Sequence, residues 1–225
     1  MSKRFSGCLF DHNFTCVDCG RILIFWNNTT VGVDTLDMAE QLLHMSVSCL
    51  ISGRKFLLTC IYGLHSIQHR KPVWEQLRHI GQQQITLPWV VLGDFNSVLT
   101  PDEKHGGLLV TNREIRDLAD CVSFLELFDT QHVGCFYTWS NNTGHSKIDR
   151  VMVNSTWLQD DLDIYTEFLP PGCISDHSLS ITTVFRESRR RNPPFKFYNI
   201  HMAWCSVKNR PESLDHRFFT QDMAR

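Results

Sequence analysis

The apolar run Trp89-Val90-Val91-Leu92 leads directly into Gly93-Asp94-Phe95-Asn96, setting a carboxylate and a carboxamide two positions apart at a strand end. Alternate strand positions point the same way, so Asp94 and Asn96 can meet one phosphate or one hard cation. Two later segments repeat the pattern: Lys147-Ile148-Asp149-Arg150, and Ser175-Asp176-His177 ahead of the run Leu179 to Val184. Carboxylates placed again and again at the ends of apolar strands are costly unless a cation or hydrogen-bond donors satisfy them. Magnesium suits such a set, because it wants oxygen ligands, retains waters and binds beside substrate phosphates. In that chemistry His177 would stabilise or protonate a phosphoryl oxygen, and Asp149 would orient the imidazole. Asp94 would position or deprotonate an attacking water, with Asn96 holding a phosphate oxygen.

The elements that must carry these groups are readable from periodicity. Strands are expected at Arg21–Trp26, Leu42–Ser48, Lys55–Tyr62 and Pro88–Asp94. A helix is expected over Pro72–Gln83, with Pro72 in its first turn, and a second over Asn112–Phe128, capped by Asn112 or Thr111. Ile115, Leu118, Ala119, Val122 and Leu125 or Glu126 trace the inner face of the second helix. Phe136–Trp139 and Ile148–Val153 read as a strand pair around the polar turn Asn141-Asn142-Thr143-Gly144, and Ser178–Phe185 as the last strand. Strands interspersed with two helices imply an α/β sandwich with its active edge built from strand-end loops. Residues 1–185 form that domain in this reading, and residues 186–225 a basic, linker-like tail.

The 225 residues, 42% hydrophobic, suffice for one medium domain with a real core. No run reaches the length of a membrane helix, and the basic N-terminal residues have no sustained apolar stretch behind them. An intracellular protein without a secretion signal is therefore expected, in nucleus or cytoplasm, with triplets such as Asn13-Phe14-Thr15 unglycosylated. Nine irregularly spaced cysteines point to free thiols in a reducing compartment. Cys8, His12, Cys16 and Cys19 can be drawn as a zinc site, but the spacing is loose and no second Cys-x-x-Cys supports it. The net charge of −2 divides into an acidic body and a tail carrying nine Arg or Lys against four Asp or Glu. The body suits metal binding; the Arg186, Arg189, Arg190, Arg191 cluster is either a phosphate-backbone contact or a solvated linker.

Taken in order, the segments resemble the endonuclease/exonuclease/phosphatase superfamily, and within it the endonuclease domain that precedes reverse transcriptase in plant non-LTR (LINE-type) retroelements. The residues that carry the resemblance are Gly20–Trp26, Ile61-Tyr62-Gly63, Pro88–Asn96, Asp102–Gly107, Tyr137–Asn141, Ser146–Arg150 and Leu169–Ser178, with Phe195–Asn199 similar to the junction toward the polymerase. The resemblance implies a deoxyribonuclease-like two-sheet sandwich flanked by helices. It also implies magnesium, or manganese in its place, as cofactor and DNA as partner, with no membrane involved. Asp94, Asn96, Asp149 and His177 would be catalytic with Tyr62 assisting, Asp94 and Asp176 metal-side carboxylates, and Asn96, His65 and Trp139 phosphate or nucleic-acid contacts. His65 stands where one branch has Asn, and it cannot reproduce both amide contacts. The family opens with a strand, a helix and a second strand ending in a metal-binding Glu; this chain starts after both, and neither Glu40 nor Glu103 takes that place by motif. The expectation is a DNA endonuclease by ancestry, weakened or silenced by the missing Glu. A non-catalytic remnant or binding module and a small-phosphoester phosphatase are the alternatives. No polymerase domain follows in these residues.

Overall fold

The computed structural model describes residues 7–16, 20–83, 86–159, 163–172 and 175–184. The Arg186–Arg191 cluster, the basic tail and Phe195–Asn199 lie outside them. An antiparallel ribbon of β1 (Cys8–His12) and β2 (Leu23–Asn27) comes first, followed by β3 (Val31–Ala39), β4 (Leu42–Cys49), β5 (Lys55–Tyr62), α1 (Ile67–Gln82) and β6 (Trp89–Asp94). Next are β7 (Lys104–Gly106), α2 (Asn112–Phe124), β8 (Phe128–Asp129), β9 (Gln131–Gly134), β10 (Trp139–Asn141) and β11 (Gly144–Ser146). β12 (Asp149–Val153), α3 (Ser155–Gln159), β13 (Ile164–Phe168) and β14 (Ser180–Val184) complete the described chain.

The main sheet has six strands in the order β3-β4-β5-β6-β12-β8. Within it only β5 and β6 run parallel, because α1 crosses over between them; every other pair in this sheet is antiparallel. Val73, Trp74, Leu77 and Ile80 recur at helical spacing and bury one stripe of α1 against Trp89 and Val91 of the sheet and Leu118 and Cys121 of α2. The opposite face of the sheet, from Val47, Phe56, Val90, Val151 and Val153, packs on Trp157 and Ile164.

The expected α/β class and its main strands are present, but the described strands form four sheets rather than the two of a simple sandwich. The division has a local cause. Residues 128–134 pair first with β12 and then, beyond Thr130, with β13, so one extended stretch leaves the main sheet and joins the three-stranded sheet β14-β13-β9. Thr130 marks the changeover, its N–H donating to Val151 O and its hydroxyl lying 3.0 Å from that of Thr166. The expected pairing of Phe136–Trp139 with Ile148–Val153 is also redrawn. β10 pairs with β11 across the Asn141–Gly144 turn and β11 with β7, while β12 enters the main sheet beside β6.

Both expected helices are present, the first starting earlier and the second, from the expected Asn112, ending sooner. α1 starts at Ile67 after Ser66, which puts Pro72 inside it rather than in its first turn. The proline has no N–H to give to the carbonyl four residues back, a loss that the buried apolar stripe outweighs. α2 ends at Phe124 because Glu126 takes a φ of 50°, turning the chain toward Leu127. At its start, Glu114 accepts hydrogen bonds from both the backbone N–H and the hydroxyl of Thr111, each at 2.7 Å.

Gly93 is fixed by geometry. Its φ is +133°, and a Cβ there would lie 2.1 Å from Ile61 O on the neighbouring strand. Only glycine lets β6 press this closely on β5 just before Asp94.

Candidate active site

Three in-register residues lie side by side at the ends of the central strands. Tyr62 of β5 is opposite Asp94 of β6, and Asp94 is opposite Asp149 of β12. His177 reaches this row from the segment between β13 and β14, held by a bridge to Trp139 and by Ser175, whose hydroxyl accepts its backbone N–H. Its Nδ1 is 2.9 Å from Asp149 Oδ2. An ionised carboxylate has no proton to give, so Nδ1–H donates and Nε2 is the nitrogen left for other partners. Ligand atoms of Asp94, Asp149 and His177 all lie within 4.8 Å of one another, the only such group of three found among the described residues.

Each member is braced. Thr138 Oγ1 accepts the backbone N–H groups of Ile148 and Asp149, at 3.1 and 2.9 Å. Asn96, at a φ of 48°, gives its backbone N–H to Asp94 Oδ1 and its Nδ2 to Gly63 O (2.8 Å) and Asp94 Oδ2 (3.2 Å). Its amide therefore ties Asp94 to the loop after β5. That loop is held from behind by Gln41, which accepts the Leu64 N–H, and by buried Arg70, which donates to Leu64 O and His65 O. His65 is exposed and lines the cleft. Asp176 stands outside the triad: it is exposed, and its Oδ2 accepts the Trp139 indole N–H at 2.8 Å. Tyr62 packs beside the Ile22, Leu43 and Met45 cluster, with Arg21 over its ring.

Burial, then the neighbouring charge of Asp149, pushes the Asp94 carboxyl up to about 6. Burial also raises Asp149. For His177, burial pulls downward, but the hydrogen bond to Asp149 and the charges of Asp149, Asp94 and Asp176 outweigh it, and the imidazole is raised. The Trp139 indole bond lowers Asp176. Two adjacent carboxylates short of positive charge, with oxygen as their donor atom, fit a hard divalent cation. A cleft of about 470 Å³ reaches the triad through His177, and Asn96, Trp139, Asp176, Lys104, His105, His145 and Glu114 are among its other lining residues.

Residues 60–177, just over half of the chain, match the Endonuclease/Exonuclease/phosphatase family. The chain belongs to this family. All three members of the triad fall inside the matched stretch. The endonuclease domain of TRAS1, a telomere-specific non-LTR retrotransposon, superposes with a TM-score of 0.63 at 16% identity over 82% of this chain and 81% of that one. An endonuclease/exonuclease/phosphatase family protein of Bacteroides thetaiotaomicron gives 0.56 at 14% identity, covering 82% and 78%. A humanized D. rerio TDP2 gives 0.54 at 15%, again covering 82% and 78%. At these identities the likeness is one of fold. No curated protein matches the chain by sequence.

Within this family member Glu103 has a place that sequence spacing does not reveal. It is buried and ion-paired with Arg150, so it takes no part in the triad. Thr138, Gln41 and Arg70 also escaped the sequence reading. Thr138 sits in the quoted Tyr137–Asn141 segment, where its alternation with Trp139 was the available signal; Gln41 and Arg70 act through backbone groups and leave no spacing to read. Of the drawn zinc set, Cys19 lies outside the described residues, and Cys8 and Cys16 are exposed free thiols. No described helix is long and apolar enough to cross a membrane.

Proposed function

We propose that this chain is a slow, divalent-metal-dependent DNA endonuclease of the LINE-type branch, cutting one phosphodiester at a time. The observation that carries the reading is the Asp149–His177 contact at 2.9 Å beside Asp94, with His177 on the lining of an open cleft. Asp94, with Asp149 behind it, would hold a magnesium ion, which supplies positive charge against the phosphate when bound. Asp94 also orients the attacking water. His177, kept in one tautomer by Asp149, directs Nε2 to the phosphoryl oxygens and offsets charge as the leaving oxygen departs. Trp139 and His65 then serve the flanking sugar and phosphate, Asn96 holds Asp94 in place, and Asp176, an ionised carboxylate, stays on the metal side. Slowness follows from the ligand set: Glu103 is locked to Arg150, so no glutamate joins the triad among the described residues. Nicking of supercoiled plasmid by the full chain in magnesium tests the proposal; absence of nicking from a cooperatively folded protein would refute it.

A companion prediction separates metal binding from turnover. The Asp94 carboxyl, at about 6, stands above its unfolded value near 3.8, so the folded state holds the proton more tightly. Stability therefore falls as pH rises from 3.8 to 6, and the ionised site costs about 2–3 kcal/mol at neutral pH in metal-free buffer. His177, also raised, contributes in the opposite sense: its stabilisation is full below 6.5 and is lost as pH rises through its folded value. Asp94→Asn is expected to raise the melting temperature at pH 7.5 in EDTA by several degrees, about 5 °C, and to change it little at pH 4. Magnesium should raise the parent's midpoint and leave the variant's unmoved. Equal magnesium shifts in both would remove Asp94 from the metal site.

A further inference from the structure

Leu108 and Leu109 are the most exposed large apolar residues described in the chain, at 86% and 93%. They sit together at the tip of the short connection from β7 to α2, next to residues that line the cleft: Gly106, Gly107 and Val110. Scattered surface leucines need no explanation, but an adjacent pair on the rim of a catalytic cleft is burial left unmade. The connection is anchored at both ends. At its root Gly106 pairs with Gly144 across β7 and β11, and a Cβ at Gly106 would lie 2.4 Å from Thr143 O, so the strand is pressed on the β10–β11 turn. At its far end Glu114 closes on Thr111, and the Ser97 hydroxyl donates to Glu114 O. The two anchors fix where the tip leaves the cleft rim and where it returns.

We propose that Leu108 and Leu109 are an apolar wedge that enters a base step of duplex DNA next to the phosphodiester held in the cleft. The inference rests on the endonuclease reading and names the form in which that substrate is taken. Around the wedge stand groups suited to a phosphate backbone: Lys104 on β7, and the His105 and His145 rings, stacked 6.4 Å apart on paired strands. Apolar side chains that part a base step recover by burial a free energy of the same order as the stacking they break, and the opened duplex kinks. A kink brings the neighbouring phosphate out of the helical path and toward the triad. Two side chains are too small an apolar surface for a stable protein interface, and the rim lacks the long apolar face of a membrane-binding helix. Duplex DNA is the occupant that the adjoining cleft selects.

The test uses the full chain, EDTA to prevent cleavage, and a duplex carrying 2-aminopurine, whose fluorescence rises on unstacking. The parent is expected to raise the signal on binding. The Leu108→Ser/Leu109→Ser double variant, altered only at exposed positions, should bind within about threefold of the parent through its phosphate contacts yet give a rise at least about threefold smaller. In magnesium, the variant should lose about tenfold in nicking on intact duplex but nick a duplex with a single-base bulge, already unstacked, like the parent. An equal fluorescence rise in both proteins, no rise from bound parent, or no DNA binding would overturn the wedge. Leucine-dependent sedimentation with anionic phospholipid vesicles, with unstacking unchanged, would do the same and assign the tip to membranes. Leucine-dependent unstacking without nicking would sink the endonuclease reading and leave the wedge standing; nicking with leucine-independent unstacking would do the reverse.

Discussion

His177→Ala is expected to lower magnesium-dependent plasmid nicking by about 10²- to 10⁴-fold, the span usual for loss of a positioned proton donor or acceptor. Two effects combine. The imidazole proposed to face the phosphoryl oxygens is gone, and Asp149 loses the 2.9 Å hydrogen bond and the charge that oppose its burial, so both carboxyls are driven further toward their protonated forms. Extra magnesium cannot restore the lost proton handling, so the deficit should appear in turnover and persist at saturating metal. The backbone of Asp149 stays in place, since Thr138 and the β6 pairing hold it, and the half-buried imidazole contributes little core. The variant should accordingly melt within a few degrees of the parent. Asp149→Asn is expected to be comparably severe, up to about 10⁴-fold, because the amide neither fixes the imidazole tautomer nor stabilises the charged imidazole, and it takes a carboxylate from beside the metal. Nicking by His177→Ala within threefold of the parent would show that the observed activity does not come from this site.

Those residues were legible in the sequence because strand chemistry is local. A buried strand leaves an uninterrupted apolar run, and Asp94, Asp149 and His177 each follow or flank one, so residue type and order carried the site before any distance was known. The six-stranded sheet was legible for the same reason in β4, β5, β6 and β12. β3 was not: Val31–Ala39 interleaves Gly32, Asp34 and Asp37 among its apolar residues and pairs through a register shift between Thr35 and Asp37. Short strands such as β7, β8 and β11 exist only because a neighbour pairs with them, which no periodicity records. The sheet change at Thr130 is likewise a tertiary event, as is the brace from Gln41, whose partner Leu64 lies 23 residues away, while Arg70 reaches back five and six residues to backbone carbonyls that carry no side-chain signal. The hydrogen bond between Asp176 and Trp139 is a rotamer choice, invisible to spacing. The placement of Glu103 belongs to the same class, and it bears on stability.

Glu103→Ala is expected to cost about 3–5 kcal/mol, roughly 10 °C in melting temperature, although Glu103 belongs to no site. Its carboxylate is ion-paired with Arg150, lies 3.9 Å from Lys147 Nζ, and accepts the Leu99 N–H at 2.6 Å. Arg150 is completely buried and gives Nη1 to Asp129 at 2.7 Å, while Lys147, almost as buried, reaches the same carboxylate oxygen at 2.9 Å. Two cations and two anions balance. Removing Glu103 leaves two buried cations against Asp129 alone, and an unpaired buried charge costs far more than the pair contributed. The same logic makes a sharper forecast for the double variant. Glu103→Leu/Arg150→Met removes one charge of each sign and leaves Lys147 with Asp129, so it should be more stable than either single variant, a reversal that additivity forbids. Equal or additive losses would mean that the four side chains do not act as one unit. The network also bears on the site. Glu103 precedes β7, whose ribbon forms a wall of the cleft, its backbone carbonyl accepts the Lys147 N–H, and Arg150 is the strand neighbour of Asp149. Loss of that balance should therefore loosen Asp149 and the cleft wall together, lowering nicking in Glu103→Ala by more than the unfolded fraction accounts for. Recovery of nicking in the double variant would tie the charge balance behind the sheet to the geometry in front of it.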